Sequence, residues 1–254
     1  MQEALLRIKE VSKHFGGVYA VNGVSLDLDH GGVCGLVGPN GSGKTTLFSI
    51  ILGLHRADQG EIYFNGKCIN NLAPHQIYDL GLVHAFQIPR LFHDLNVLDN
   101  MLVAARNQQG DRLFNSLFRR RRWREQEKEL IEEAMNLLEL LELDEHAFSP
   151  AGELSGGQRK LLEVARGLMA KPRLLLLDEP AAGINPVLGK TMFEKLRDFS
   201  HNGTAFFVVE HRLEILFEYA SWVYVMDKGQ IMIEGEPQTI IDDPSFYSIY
   251  LGEE

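Results

Sequence analysis

The chain has 254 residues, 45% of them hydrophobic and 24% charged, with a formal net charge of −10 at pH 7. That composition suits one large α/β domain, or one domain carrying a sizeable insertion. The acidic balance argues against a general nucleic-acid binder, which needs a basic face for phosphate backbones. No apolar run approaches the roughly 18–20 residues that cross a bilayer. Met1–Arg7 lacks the basic-then-apolar pattern of a secretory leader. The expectation is a soluble, intracellular protein whose membrane attachment comes through partners. Cys34 and Cys68 lack metal-pair spacing and read as buried thiols in a reducing compartment, with a bridge between them left open.

In chain order, Leu5–Val11 and Val24–Leu28 alternate apolar with polar and predict half-buried antiparallel strands. Val33–Val37 is a short apolar run that ends at Gly38 and leads through a glycine-rich loop into a predicted helix over Lys44–Leu52, stopped by Gly53. Glu61–Phe64, Asn65-Gly66 and Lys67–Ile69 read as a hairpin. From about Val97 to Glu153 the pattern turns helical, with Leu130, Ile131, Ala134, Leu137, Leu138 and Leu141 at 3.6-residue spacing. A further helix follows Gly157. Leu174–Leu177 and Ala205–Val209 are continuous apolar runs of the kind buried on both faces of a parallel sheet. A helix near Val187–Ser200 lies between them. Trp222–Met226 and Ile231–Glu234 predict a closing hairpin, and Pro237–Leu251 short helices broken at Pro244.

Two segments carry chemistry. Gly38-Pro39-Asn40-Gly41-Ser42-Gly43-Lys44-Thr45 fits G-x-x-x-x-G-K-[ST] in full, between a predicted strand and helix. Such glycines let backbone N–H groups curl around a β-phosphate at the positive end of the helix. Lys44 is then placed for the β- and γ-phosphates and Thr45 for Mg²⁺. The alternative is a chance glycine-rich turn. The second segment is Asp178-Glu179-Pro180 at the end of the Leu174–Leu177 strand. Asp178 would hold the Mg²⁺ shell, and Glu179 would orient or deprotonate the attacking water. Alone it is an acidic strand end before a proline turn; beside Lys44 it reads as catalytic.

Leu154-Ser155-Gly156-Gly157-Gln158 resembles the signature sequence of the ABC ATPases. Ser155 also suits a plain helix N-cap. Other positions match the family one by one. Phe15 resembles the adenine-stacking aromatic, Gln87 the loop glutamine that touches Mg²⁺ and senses the membrane partner, and Thr46 extends the phosphate-loop contacts. Ala182-Gly183-Ile184-Asn185 resembles the D-loop, with Asn185 where many members carry Asp, and His211 resembles the switch histidine on the γ-phosphate. The resemblance covers essentially the whole chain. It implies an α/β P-loop NTPase core with a mainly parallel sheet, an N-terminal antiparallel β subdomain and a helical subdomain. The core would take about 1–95 and 156–254, and the helical subdomain with its insertion about 96–155.

What the resemblance implies for function is an ATPase with ATP and Mg²⁺ as ligands and Lys44, Glu179 and His211 as its catalytic residues. Gly38–Thr46, Phe15, Gln87 and Asp178 would bind the nucleotide, with Thr45, Gln87 and Asp178 on the metal. Ser155, Gly156, Gly157 and Gln158 would reach the nucleotide of a second, identical or related ATPase chain. Two transmembrane permease subunits would be the direct partners and a solute-binding protein an indirect one, at the inner face of the cell membrane, without nucleic acid. Phe86–Phe92, Glu179–Pro186, the end Tyr250–Glu254 and a helical insertion near Asn107–Glu125 resemble the G-type ATPases of branched-chain or hydrophobic amino-acid uptake. Leu-Ser-Gly-Gly-Gln and Glu210-His211-Arg212 depart from that subgroup, and urea/amide-uptake and lipopolysaccharide-export ATPases are similar relatives. The Arg119–Arg124 run reads first as a solvated loop, second as a contact for anionic lipid. DNA-repair ABC ATPases separate the half-motifs by coiled coils or zinc modules, which this chain lacks. P-loop kinases and GTPases need neither Leu154–Gln158 nor His211.

Overall fold

The computed structural model describes residues 4–85, 90–106 and 120–251. Among these described residues, ten strands form two sheets. The first is antiparallel, in the order β2-β1-β4-β5, from β1 (Leu6–Phe15), β2 (Val18–Leu28), β4 (Gln59–Phe64) and β5 (Lys67–Cys68). The second runs β10-β9-β3-β8-β7-β6, from β3 (Val33–Val37), β6 (Leu82–Ala85), β7 (Leu174–Asp178), β8 (Ala205–Val209), β9 (Trp222–Asp227) and β10 (Gln230–Gly235). All its neighbours are parallel except β9 and β10, the predicted closing hairpin.

The helices are α1 (Lys44–Ile51), α2 (Pro74–Asp79), α3 (Val97–Ala104), α4 (Arg120–Leu140), α5 (Gly156–Met169), α6 (Pro186–His201), α7 (Leu213–Tyr219), α8 (Pro237–Asp242) and α9 (Pro244–Leu251). Among the described residues no helix is long and apolar enough to cross a membrane.

The buried strands work because successive side chains point to opposite faces. Val33 and Val37, Leu175 and Leu177, Phe206 and Val208, and Val223 and Val225 enter one core, packed against α3, α4, α5, α6 and α7. Cys34 and Leu36, Leu174 and Leu176, Phe207 and Val209, and Tyr224 and Met226 enter the other, closed by α1 and the antiparallel sheet. The continuous apolar runs of the sequence are thus two interleaved half-patterns, one for each core.

Several expectations change. The first two strands extend beyond the predicted Leu5–Val11 and Val24–Leu28, to Phe15 and back to Val18, because their pairing continues to the tip through bulged registers. The amphipathic α2, the short edge strand β6 and α7 carry too few residues for a periodicity to register. Cys34 is buried as expected, but Cys68 is exposed on the short edge strand β5 and both are free thiols, so no bridge joins them. The arginine run is not a loop from Arg120 onward, since α4 begins there. Arg119 and most of the insertion near Asn107–Glu125 lie outside the described residues, as does the Gln87 loop.

Candidate functional site

Three neighbouring strands, β3, β8 and β7, end on the same edge of the sheet, with Leu36 paired to Val209 and Val209 to Asp178. Each delivers one part of the site. From β3 the chain enters Gly38–Gly43. A β-carbon on Gly38 would lie 2.0 Å from the Met226 carbonyl oxygen, so the backbone passes too close to β9 for any side chain. The loop is tied down by Gly229, whose amide donates to the Ser42 carbonyl at 2.9 Å.

Lys44 is the first residue of α1, yet only 6% exposed. Its Nζ donates to the carbonyls of Gly38 at 2.8 Å and Pro39 at 2.9 Å and lies 3.3 Å from the Ser42 hydroxyl. Burial pushes the ammonium below its ordinary range, against the pull of Glu179 and Asp178. The first amides of α1 have no intrahelical partner, so the loop, the lysine and the helix start bring their donors together. Thr45 is exposed and Thr46 half-buried beside it, and Gly41 has open space around it. This donor set fits a triphosphate. The hydroxyl of Thr45 with the Asp178 carboxylate fits a hard cation that takes oxygen ligands.

Asp178 closes β7 half-buried. Burial and the neighbouring Glu179 push its carboxyl up, while Lys44, His211 and Lys160 pull it down. Glu179 turns away from the strand with φ 50, a left-handed conformation that costs an ordinary residue about 1–2 kcal/mol. That turn brings its Oε1 within 3.0 Å of His211 Nε2 from the end of β8. Two residues singled out separately in the sequence therefore meet as a pair.

Ser155 does cap α5. Its Oγ accepts from the Gln158 amide at 3.3 Å, while the Gln158 side chain accepts from the Ser155 amide at 2.9 Å. Gln158 Nε2 also sits 2.8 Å from the His146 ring. Ser155 and Gly156 are exposed, and a β-carbon on Gly156 would meet nothing within 4 Å. The motif presents an open helix N-terminus to solvent. Phe15 is 47% exposed at the tip of β1, edge-on to His55 at 5.4 Å and under the Lys13 ammonium at 5.5 Å. Asn185 caps α6 through the Val187 amide at 2.8 Å, a task for which Asn and Asp are equally suited.

Two residues at the site carry no role in the sequence pattern, although Glu210 stands out there as part of a departure from the subgroup. Glu210 is fully buried at the end of β8, and Lys160, early in α5, donates to the Glu179 carbonyl at 2.9 Å. A signal for Glu210 was present: it is a carboxylate directly after a five-residue apolar strand.

Strand order, phosphate loop and the paired carboxylate and histidine together define a phosphate-loop nucleotide-binding protein. Residues 21–182 match the family model described as ABC transporter, and the chain belongs to that family. It is 43% identical over 248 residues to a probable branched-chain amino acid transport ATP-binding protein LivG of Archaeoglobus fulgidus, covering 98% of this chain and 95% of that one. It is 37% identical over 256 residues to the high-affinity branched-chain amino acid transport ATP-binding protein BraF of Pseudomonas aeruginosa, with both chains covered in full. Among solved structures, it resembles the ADP conformation of MJ1267, an ATP-binding cassette of an ABC transporter, with TM-score 0.84 and 38% identity over 99% of this chain and 100% of that one.

Proposed function

We propose that this chain is the ATP-hydrolysing subunit of a transporter that takes up branched-chain or other hydrophobic amino acids. The observation that carries hydrolysis is the 3.0 Å pairing of Glu179 with His211, set beside Asp178 and Lys44 on one sheet edge. The cargo rests on the names of full-length relatives at 43% and 37% identity.

Lys44 and the loop amides hold the β- and γ-phosphates, Phe15 stacks on adenine, and Thr45, Asp178 and Gln87 hold Mg²⁺. The cation, when bound, neutralises charge on the phosphate oxygens. Glu179 orients the attacking water and takes its proton, while His211 fixes that carboxylate and faces the γ-phosphate. Ser155–Gln158, with Ser155 and Gly156 exposed, serves the nucleotide of a second ATPase chain. About 1–95 and 156–254 form the nucleotide-binding core and about 96–155 the helical arm that meets two permease subunits at the inner face of the membrane. ATP binds the paired state preferentially and so shifts the pairing equilibrium; its hydrolysis reverses the shift.

The test is Glu179→Gln in vesicles carrying the reconstituted transporter. ATP binding is expected to persist while turnover and labelled leucine uptake are lost. Hydrolysis at the wild-type rate would refute the role of Glu179. Wild-type transporter that moves urea but not leucine would refute the cargo.

A further inference from the structure

The carboxylate of Glu210 is fully committed to backbone. Oε1 accepts from the Ala181 amide at 2.6 Å, and Oε2 accepts from the amides of His211 at 3.1 Å and Arg212 at 3.4 Å. Hydrogen bonds to an ionised carboxylate belong to the strong class. These three donors come from two different loops, one following Glu179 and one carrying His211. Lys160 supports the first loop from the other side, donating to the Glu179 carbonyl, which also accepts from the Ala182 amide at 3.1 Å. The Glu179 amide in turn donates to the Val209 carbonyl at 2.9 Å. Further along, Arg212 reaches the Ile184 carbonyl at 3.4 Å. The left-handed backbone of Glu179 is thus pinned on both of its peptide groups, and the turn that follows is pinned to the strand bearing His211.

Both residues are costly choices for a merely structural task. A fully buried carboxylate pays desolvation that a neutral residue avoids, and burial likewise disfavours the charged form of Lys160. What they hold is confined to Glu179–Ala182 and His211–Arg212, the segments that present the two side chains of the site.

We infer that Glu210 and Lys160 are positioning residues for hydrolysis, locking the loop of Glu179 to the strand end of His211 so that the two side chains meet. The inference rests on the reading of Glu179 and His211 as the hydrolytic pair. The hydrogen bonds of the two positioning residues go to the Glu179–Ala181 and His211–Arg212 backbone and not to the phosphate loop, so their variants should change nucleotide affinity little.

The test compares four variants of the full chain in the assembled transporter. In Glu210→Gln one end of the carboxamide turns an N–H toward an N–H, so either Ala181 or the His211–Arg212 pair loses its acceptor. The expected result is a kcat lower by about 10–100-fold, the scale of a small misplacement of catalytic groups. KM for ATP and the affinity for a fluorescent ATP analogue should stay within about twofold, because ground-state binding is untouched. Lys160→Met should lower kcat in the same way, and Lys160→Arg should restore most of it, since a guanidinium also donates to a carbonyl. If Glu210→Gln fails to fold, the Lys160 pair decides. Wild-type kcat in Lys160→Met overturns the inference. So does a loss of kcat that tracks a loss of folded protein and nucleotide affinity, with Lys160→Arg no better than Lys160→Met. Glu179→Gln runs alongside as the fourth variant: wild-type turnover there overturns the hydrolytic pair itself, a failure distinct from that of the frame.

Discussion

Replacing Gly43 by alanine tests whether the phosphate loop is shaped by close backbone approach or by glycine flexibility alone. Gly43 has φ 110 at the start of α1, and an added β-carbon would lie 2.2 Å from the Ala20 carbonyl oxygen and 2.8 Å from Met226 Cε. Gly41, two residues earlier, has φ +80 but open space around it. Gly41→Ala therefore meets only the conformational cost, about 1–2 kcal/mol, partly offset by about 0.4–1 kcal/mol from a stiffer unfolded chain. Gly43→Ala meets that cost and a clash with backbone that cannot rotate away. Overpacking adds about 1–3 kcal/mol. The Ala20 carbonyl is held in β2, next to Gly229 of the β9–β10 turn, so relief requires moving the strand or the helix start. At about 2–4 °C per kcal/mol for a chain of this size, Gly43→Ala should melt lower than Gly41→Ala by about 2–12 °C. The assay is thermal denaturation with and without ATP·Mg²⁺, alongside nucleotide affinity. ATP should stabilise Gly41→Ala more than Gly43→Ala, whose helix start is displaced. Equal melting temperatures and equal affinities in the two variants would refute the argument from contact.

Asp58 ties down the strand tip that carries Phe15, accepting from Lys13 Nζ at 2.7 Å and the His14 amide at 2.8 Å. The Lys13 bond first, and the His14 amide second, hold its carboxyl below the ordinary range. A depressed carboxylate contributes stability above that range and loses it as pH falls through the lowered value. Asp58→Asn should weaken ATP affinity by about two- to fivefold, and the stability gap to wild type in pH-dependent urea melts should close in acid. A gap that widens in acid contradicts the sign. Arg166 of α5 donates to the Arg90 carbonyl at 2.7 Å and to Glu163 at 3.1 Å, with its guanidinium 5.7 Å from the Phe92 ring. Arg166→Met takes the cation from a largely buried carboxylate and should cost about 2–4 kcal/mol in denaturant melts, the buried-pair cost reduced for partial exposure. Glu163→Gln with Arg166→Met should recover about half of that loss; strict additivity would show the pair is not coupled.

Much of the parallel sheet was legible because its strands are buried on both faces. Val33–Val37, Leu174–Leu177 and Ala205–Val209 need no alternation, so short apolar runs bounded by turn residues mark them directly. The same property hides which residue serves which core, since only the three-dimensional stacking separates Leu175 from Leu176. At the site, Gly38–Thr45 and Asp178-Glu179 were legible from spacing because their chemistry is local. The meeting of Glu179 with His211 was not. It depends on β7 and β8 being neighbours and on the φ 50 turn at Glu179, and no local pattern encodes either. Cys68 is exposed, against the sequence expectation, because a two-residue edge strand offers nothing to cover it. The arginine run was read as a loop by charge alone, although arginine is a good helix former and α4 begins inside it.

The site concentrates features that disfavour the folded state. Lys44 is buried with loop carbonyls as its acceptors, Asp178 is pushed toward its neutral form by burial beside Glu179, Glu210 is a carboxylate with no exposure, and Glu179 holds a left-handed backbone. Burial disfavours the lysine and the carboxylates alike, so the two signs of charge do not cancel the cost within the chain. Under the proposed function a triphosphate with its cation would satisfy both sides together, with Lys44 donating to phosphate oxygens and Asp178 holding the cation. Stability and binding are therefore linked through the same residues, and the nucleotide should stabilise the folded chain by an amount set by its affinity and concentration. Fixing the hydrolytic groups before substrate arrives serves catalysis for the same reason, because the reorganisation is completed during folding and does not recur at each turnover. Glu210 and Lys160 fit that logic: they spend folding free energy on backbone they do not otherwise need, at the one turn where Glu179 must face His211.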